Sequence, residues 1–276
     1  MNIDALPQTL LLILAEFSVG SLIAVLIADA RAMVPSSFVK LSAVIIVAGA
    51  ALALLVAFSV NGVEIAGYNL ADGLLGPIQA VLVAFATIVM VYAWLVLSNS
   101  RDLSLRIGVI GAAAGLVALG LLAYQVSPPA WSVAGTLTSL LVGALALGLV
   151  TEAMVLGHWY LVSPKLPGRP LQELTFLLLA VLCLQAVVLI VNASIPAREA
   201  PDSAALLAGT LGSNPAFWLR VGVGLIFPIA LAYMAWRSSK ENAMMSATGL
   251  LYIAVGAVFV GELLARGLLF VTAAPV

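Results

Sequence analysis

The chain has 276 residues, 64% of them hydrophobic and only 8% charged, with a formal net charge of −1. A soluble domain carries roughly 25% charged residues, so this composition and a mean hydropathy of +1.21 exclude a water-soluble fold and point to a polytopic helical membrane protein. The near-neutral charge gives no support for nucleic acid as a partner, and the single cysteine, Cys183, excludes a disulfide framework or thiolate metal cluster built from this chain alone.

The opening "MNIDALPQTL" has an acid and no basic region, and reads as retained rather than as a signal peptide. The first apolar run, 9–28, contains Glu16 in "LAEFSVG" and ends at "DARAMVPSS". The second, 38–60, ends in "NGVEIAGYNLADG", which carries Glu64. The third, 74–97, begins near Pro77 and Gln79 and stops at "SNSRD". The fourth, 105–126, holds "GVIGAAAGLVALG", small residues at one-turn spacing that permit close helix approach. After "SPP" the fifth run, 133–161, carries Glu152 and the lone histidine, His158, and ends at "SPKLPGRP". The sixth, 171–195, carries Gln185 and Asn192. The stretch "PAREAPDSAALLAGTLGSNP" reads as a surface excursion with room for one short helix. The seventh run, 216–236, contains Arg220 and ends at "RSSKEN", and the eighth, 244–270, contains Glu262 and Arg266. Each run is long enough to cross about 30 Å of hydrocarbon at 1.5 Å per residue.

The expected fold is therefore all-α, with eight transmembrane helices in one domain covering 1–276. A weak likeness between helix one and helix five hints at two four-helix halves, 1–126 and 133–276. Loops and flanks after the odd-numbered helices hold Arg31, Lys40, Arg101, Arg106, Lys165, Arg169, Arg237 and Lys240, while the opposite side has only Arg198 in a loop. The positive-inside rule then places both termini on the extracytoplasmic side of a cytoplasmic (inner) membrane.

Ionisable residues within membrane spans are costly and mark functional sites by default. Helix direction puts Glu16, Arg220, Glu262 and Arg266 toward the outer leaflet, with Glu64 in the outer loop. "GELLARG" is the most specific arrangement: Glu262 and Arg266 are four apart with the acid first, so they share one face. They form either an ion pair that locks helices or the polar wall of a ligand site. Arg220 would leave the cluster positive; Glu16 would neutralise it. Glu152 and His158 lie in the inner half, on different faces of helix five. His158, beside Trp159 and Tyr160, is either an interface anchor or, with Glu152, a station on an inner proton path. One histidine excludes bis-histidine haem ligation, so haem within this chain is not expected, and no metal site is read from the sequence. Gln79, Gln185 and Asn192 suit hydrogen bonds between helices.

The last helix, "SATGLLYIAVGAVFVGELLARGLLF", resembles the final helix of the membrane-anchor subunits of DMSO reductase and polysulfide reductase. "LPQTLLLILAEFSVGSLIAVL" resembles that family's opening helix, and "FWLRVGVGL" has a counterpart there. The resemblance implies a subunit that binds quinone or quinol (menaquinone or ubiquinone) and exchanges electrons with a peripheral iron–sulfur protein and its catalytic subunit. It places Glu16, Arg220, Glu262 and Arg266 near the quinone. The stretch after helix two lacks the histidine expected of the family, leaving Glu64 as the proton acceptor there. From the residues alone, two other classes stay open: a small-solute transporter, and a structural or assembly subunit.

Overall fold

A computed structural model of the chain describes residues 3–60, 64–65, 67–163, 166–199 and 211–276. It contains eight helices long and apolar enough to cross a membrane. They are α1 (Leu6–Asp29), α2 (Ser36–Ser59), α3 (Leu75–Leu97), α4 (Arg101–Val126), α5 (Val133–Val162), α6 (Arg169–Ser194), α7 (Pro215–Lys240) and α8 (Met244–Thr272). In hydrocarbon every backbone N–H and C=O must be satisfied within its own segment, so apolar runs of this length close into helices. Two details differ from the sequence reading. Helix α4 begins at Arg101, because Asn99 takes a left-handed conformation (φ 59°) that reverses the chain within a few residues. The loop after α2 forms a short antiparallel hairpin, β1 (Glu64–Ile65) with β2 (Tyr68–Asn69). Residues 200–210 of the long excursion, and Lys165, lie outside the described residues.

The helix ends are cut by specific chemistry. Ser132 caps α5 by accepting from the Gly135 N–H at 2.8 Å, and Asn214 caps α7 by accepting from Ala216 N–H at 3.0 Å. Pro215 takes the first position of α7, where its missing N–H costs nothing.

Successive helices alternate in direction, so the two chain ends share one face of the bundle. Gln8 Nε2 donates to Gln125 Oε1 at 3.0 Å, and Asn192 Nδ2 donates to the Pro275 carbonyl at 2.7 Å, tying both ends to that terminal face. Tyr68 closes it, its hydroxyl donating to the Val126 carbonyl and its ring packed edge-on against Phe270 at 5.2 Å. Burial pushes the Tyr68 phenol above its ordinary range. The opposite face carries the turns with Arg31, Arg101, Arg169 and Arg237. Large apolar side chains such as Leu55, Met90, Trp94 and Ile190 point outward around the bundle, as a lipid-facing surface requires.

The packing pattern repeats with a period of four helices. Helix α1 packs on α2 and α4, α2 on α3, and α3 on α4; α5 packs on α6 and α8, α6 on α7, and α7 on α8. The two four-helix groups join chiefly through α1 against α5. Gly20 and Gly148 make that junction possible. A Cβ on Gly20 would sit 1.7 Å from the Ala144 carbonyl oxygen, and one on Gly148 would sit 2.0 Å from Gly20 C. Without lipid-excluding hydrophobic force between helices, such backbone-to-backbone contact is what holds them.

Gly20→Leu is therefore expected to drive α1 and α5 apart and to abolish a monodisperse peak in detergent gel filtration. Gly120→Ala, where an added Cβ meets nothing within 4 Å, should leave the peak and the melting temperature unchanged.

Candidate functional site

Glu262 and Arg266 lie one turn apart on α8, so their side chains project from the same face. That face turns inward, and all of Glu16, Glu262 and Arg266 are completely buried, with Arg220 at 1% exposure. Arg266 is the hub. Its Nη2 lies 2.9 Å from Glu16 Oε1 and 3.0 Å from Glu262 Oε2, and its Nε donates to Glu16 Oε2 at 3.2 Å. Its remaining donors go to α5: Nη1 to Ser139 Oγ at 2.9 Å and Nη2 to the Ser139 carbonyl at 3.1 Å. From α7, Arg220 Nη2 reaches Glu262 Oε1 at 3.2 Å; from α6, Gln185 Nε2 donates to the same oxygen at 2.5 Å. Five helices thus converge on one cluster of two carboxylates and two guanidinium groups, with no net charge. The sequence posed Arg220 and Glu16 as alternatives for setting the cluster's charge; both join it.

Neutrality is what makes the arrangement tolerable. A lone buried ion costs several kcal/mol even after relaxation, and attraction in a low dielectric offsets this only when geometry and hydrogen bonding are nearly complete. Most of the donors and acceptors here are used. Arg220 Nε and Gln185 Oε1 are the exceptions in the cluster wall, both buried and without a hydrogen-bond partner; Glu16 Oε1 has its guanidinium neighbour but no aligned N–H.

Helix α7 supplies Arg220 through a break in its own ladder. Residues Gly222–Ile226 form a π-turn, followed by Pro228. Pro228 has no N–H, so the carbonyl four residues earlier, that of Gly224, loses its usual helical donor. Arg220 Nη1 donates to that carbonyl at 2.9 Å. The break also brings the α7 backbone hard against α8: a Cβ on Gly224 would lie 2.4 Å from Gly261 Cα. On α5, Gly143 makes the matching room, since a Cβ there would lie 2.6 Å from both Arg266 Nη2 and Glu262 Oε2.

The other sequence candidates stand elsewhere. Glu64 is exposed in β1, on the terminal face, outside the ion cluster. Glu152 is fully buried in α5, where its Oε2 accepts from Ser42 Oγ of α2 at 2.5 Å. His158 is exposed, with Nδ1 3.0 Å from the Tyr252 hydroxyl of α8, while Trp159 Nε1 donates to Ser37 Oγ at 2.6 Å. Glu152 and His158 form no hydrogen bond with each other. Gln79 and Asn192 bond neighbouring backbone, Gln79 Nε2 to the Ala57 carbonyl at 2.9 Å and Asn192 Nδ2 to the Gly135 carbonyl at 3.2 Å. Ser139, Gly143 and the Gly224–Gly261 contact were not read from the sequence. Only Gln185, a polar residue inside an apolar run, carried a visible signal.

No family model matches the chain, and no curated protein matches it.

Arg266→Met should cost about 3–5 kcal/mol, because it strands Glu16 in the interior without its guanidinium partner. Adding Glu16→Leu restores neutrality around the intact Glu262–Arg220 pair and should recover most of that loss. Reversible unfolding in mixed micelles measures both; a double variant as unstable as the sum of the singles would show that charge balance is not what the cluster provides.

Proposed function

We propose that the chain is a quinone-binding membrane-anchor subunit of a bacterial redox complex, with its ligand site at the Glu16–Arg220–Glu262–Arg266 cluster. One observation carries this reading: the cluster wall holds an unused donor, Arg220 Nε, and an unused acceptor, Gln185 Oε1. A quinone carbonyl takes the first and a quinol hydroxyl offers its proton to the second. A cluster that only joins helices needs neither. Quinol oxidation also requires a base for each proton released, and Glu262 and Glu16 stand within the cluster. In this reading Glu64, exposed on the same face of the bundle, passes protons to water.

The basic turns at the face opposite the termini support a cytoplasmic position for that face, and so an extracytoplasmic position for both chain ends in the inner membrane. The docking partner is then a peripheral iron–sulfur protein with its catalytic subunit, received at the terminal face, close to the cluster. A second reading has its own support. The complete burial and zero net charge of the four ionised side chains also suit a purely structural clamp between α1, α5, α6, α7 and α8.

The two readings separate in one preparation. Protein purified in mild detergent is extracted and its lipids analysed by mass spectrometry, and co-purifying subunits are identified alongside. The quinone reading expects bound menaquinone or ubiquinone in the wild type, reduced by about tenfold in Glu262→Gln, which removes the carboxylate that holds Arg220 and Gln185 toward the ligand, with membrane accumulation largely retained. Absence of quinone from the wild type, or a Glu262→Gln variant that assembles poorly while every assembled molecule keeps full quinol-linked electron transfer, makes the cluster a clamp.

A further inference from the structure

The first four helices, with α5, enclose a further buried carboxylate in different surroundings. Glu152 of α5 is completely buried, and its Oε1 has no hydrogen-bond partner. Its other oxygen takes the Ser42 hydroxyl of α2. Ser21 of α1 stands beside the same carboxyl group, also completely buried and with its hydroxyl unpartnered. The shared level follows from the helix junction: Ser21 follows Gly20, Glu152 is one turn beyond Gly148, and those glycines bring α1 and α5 into backbone contact. Among the described residues, no arginine, lysine or histidine pairs with Glu152.

The basic face carries an opening on the same side of the bundle. A crevice of about 230 Å³ opens there between the ends of α1, α2, α3 and α4, lined by Asp29, Ser36, Asn99, Arg101 and Ser104. Arg101 Nε pairs with Asp29 Oδ1 at 3.1 Å on its wall. Deeper in, Tyr92 of α3 is 1% exposed and lies within electrostatic reach of both Asp29 and Glu152. An added Cβ on Gly108 would touch both its ring and Leu26, which places Tyr92 between the levels of Asp29 and Ser21 on α1.

We propose that Glu152, Ser21 and Ser42 form a binding site for a small monovalent cation, a proton or a sodium ion, that enters from the basic face through the Asp29 crevice past Tyr92. The chemistry is shared by the two ions. A carboxylate with no basic partner in a hydrocarbon interior requires a positive charge. Hydroxyl and carboxylate oxygens are hard donors suited to an alkali cation. A proton on Oε1 would instead donate to Ser21 Oγ and fill both unpartnered atoms at once. This site stands apart from the ion cluster and does not rest on the quinone reading.

The test uses the full chain purified in detergent. Thermal midpoints are recorded as sodium chloride replaces choline chloride at constant ionic strength, with an infrared spectrum at neutral pH for each variant. A sodium-dependent rise in the wild type that Glu152→Gln lacks, and that Ser21→Ala shifts to roughly tenfold higher sodium, identifies sodium. No sodium dependence, but a protonated-carboxyl band present in the wild type and in Ser42→Ala and absent from Glu152→Gln, identifies the proton. A wild type with neither response overturns the proposal, and Ser21→Ala and Ser42→Ala keep it testable should Glu152→Gln not fold. Asp29→Asn should slow exchange of the bound cation, read as sodium-22 or deuterium exchange, at least severalfold with affinity unchanged; exchange as fast as the wild type's would overturn the crevice as the entrance.

Discussion

A charged side chain in a hydrocarbon interior must find an opposite charge or give up its own, and that constraint organises this bundle. Arg266 cannot give up its charge, since a guanidinium keeps its proton under any ordinary condition. It therefore draws Glu16 from α1 and Glu262 from its own helix, and fills its last donors with Ser139 of α5. Arg220 does the same from α7. The sum is neutral, and each of the five helices involved is held at one defined height against the others. Lipid is as apolar as leucine, so hydrophobic burial cannot set such heights between membrane helices; polar contacts and close packing must.

Close packing is supplied by glycine at each place where the polar contacts demand it. Gly143 leaves room for the guanidinium of Arg266, and Gly224 lies against Gly261 so that Arg220 can reach Glu262. The π-turn ahead of Pro228 belongs to the same arrangement, because the carbonyl that proline leaves without its helical donor is bonded by Arg220. One arginine thus mends a backbone defect and carries half of the cluster's positive charge. Such defects inside membrane helices are tolerated only where a neighbouring group re-satisfies the backbone.

The two four-helix groups pack alike, and each lends one acid across the α1–α5 junction to an unlike polar site. Glu16 of α1 joins Glu262 beside two arginines of α7 and α8, and the charges balance within the protein. Glu152 of α5 meets only the serines of α1 and α2. The contrast is of physical type: the ion cluster stores a closed set of charges, whereas Glu152 needs a cation from outside to reach the same neutrality. Their depths differ too. Glu16 lies about 15 Å from the terminal face and Glu152 about 15 Å from the basic face, at 1.5 Å per residue.

The eight helices were legible in the sequence because a membrane span is a local property: length and apolarity of one segment decide it, whatever the neighbours do. The Glu262–Arg266 pair was legible for the same reason, being four residues apart on one helix. That Glu16 and Arg220 belong with them could be reasoned only as a shared depth, because helix direction fixes height but not azimuth. Which side of α1 faces α8, and that Gln185 and Ser139 complete the cluster, depended on rotations set by glycine contacts between segments more than a hundred residues apart. The sequence placed Glu152 and His158 on different faces of one helix but could not say what each face meets; packing turned Glu152 toward Ser21 and Ser42 and left His158 exposed beside Tyr252. The one-dimensional pattern determined what must cross the membrane and which side chains could not stay alone there. Only the tertiary structure decided their partners, since partners are chosen by how helices rotate against one another, and that rotation is a property of the assembled bundle.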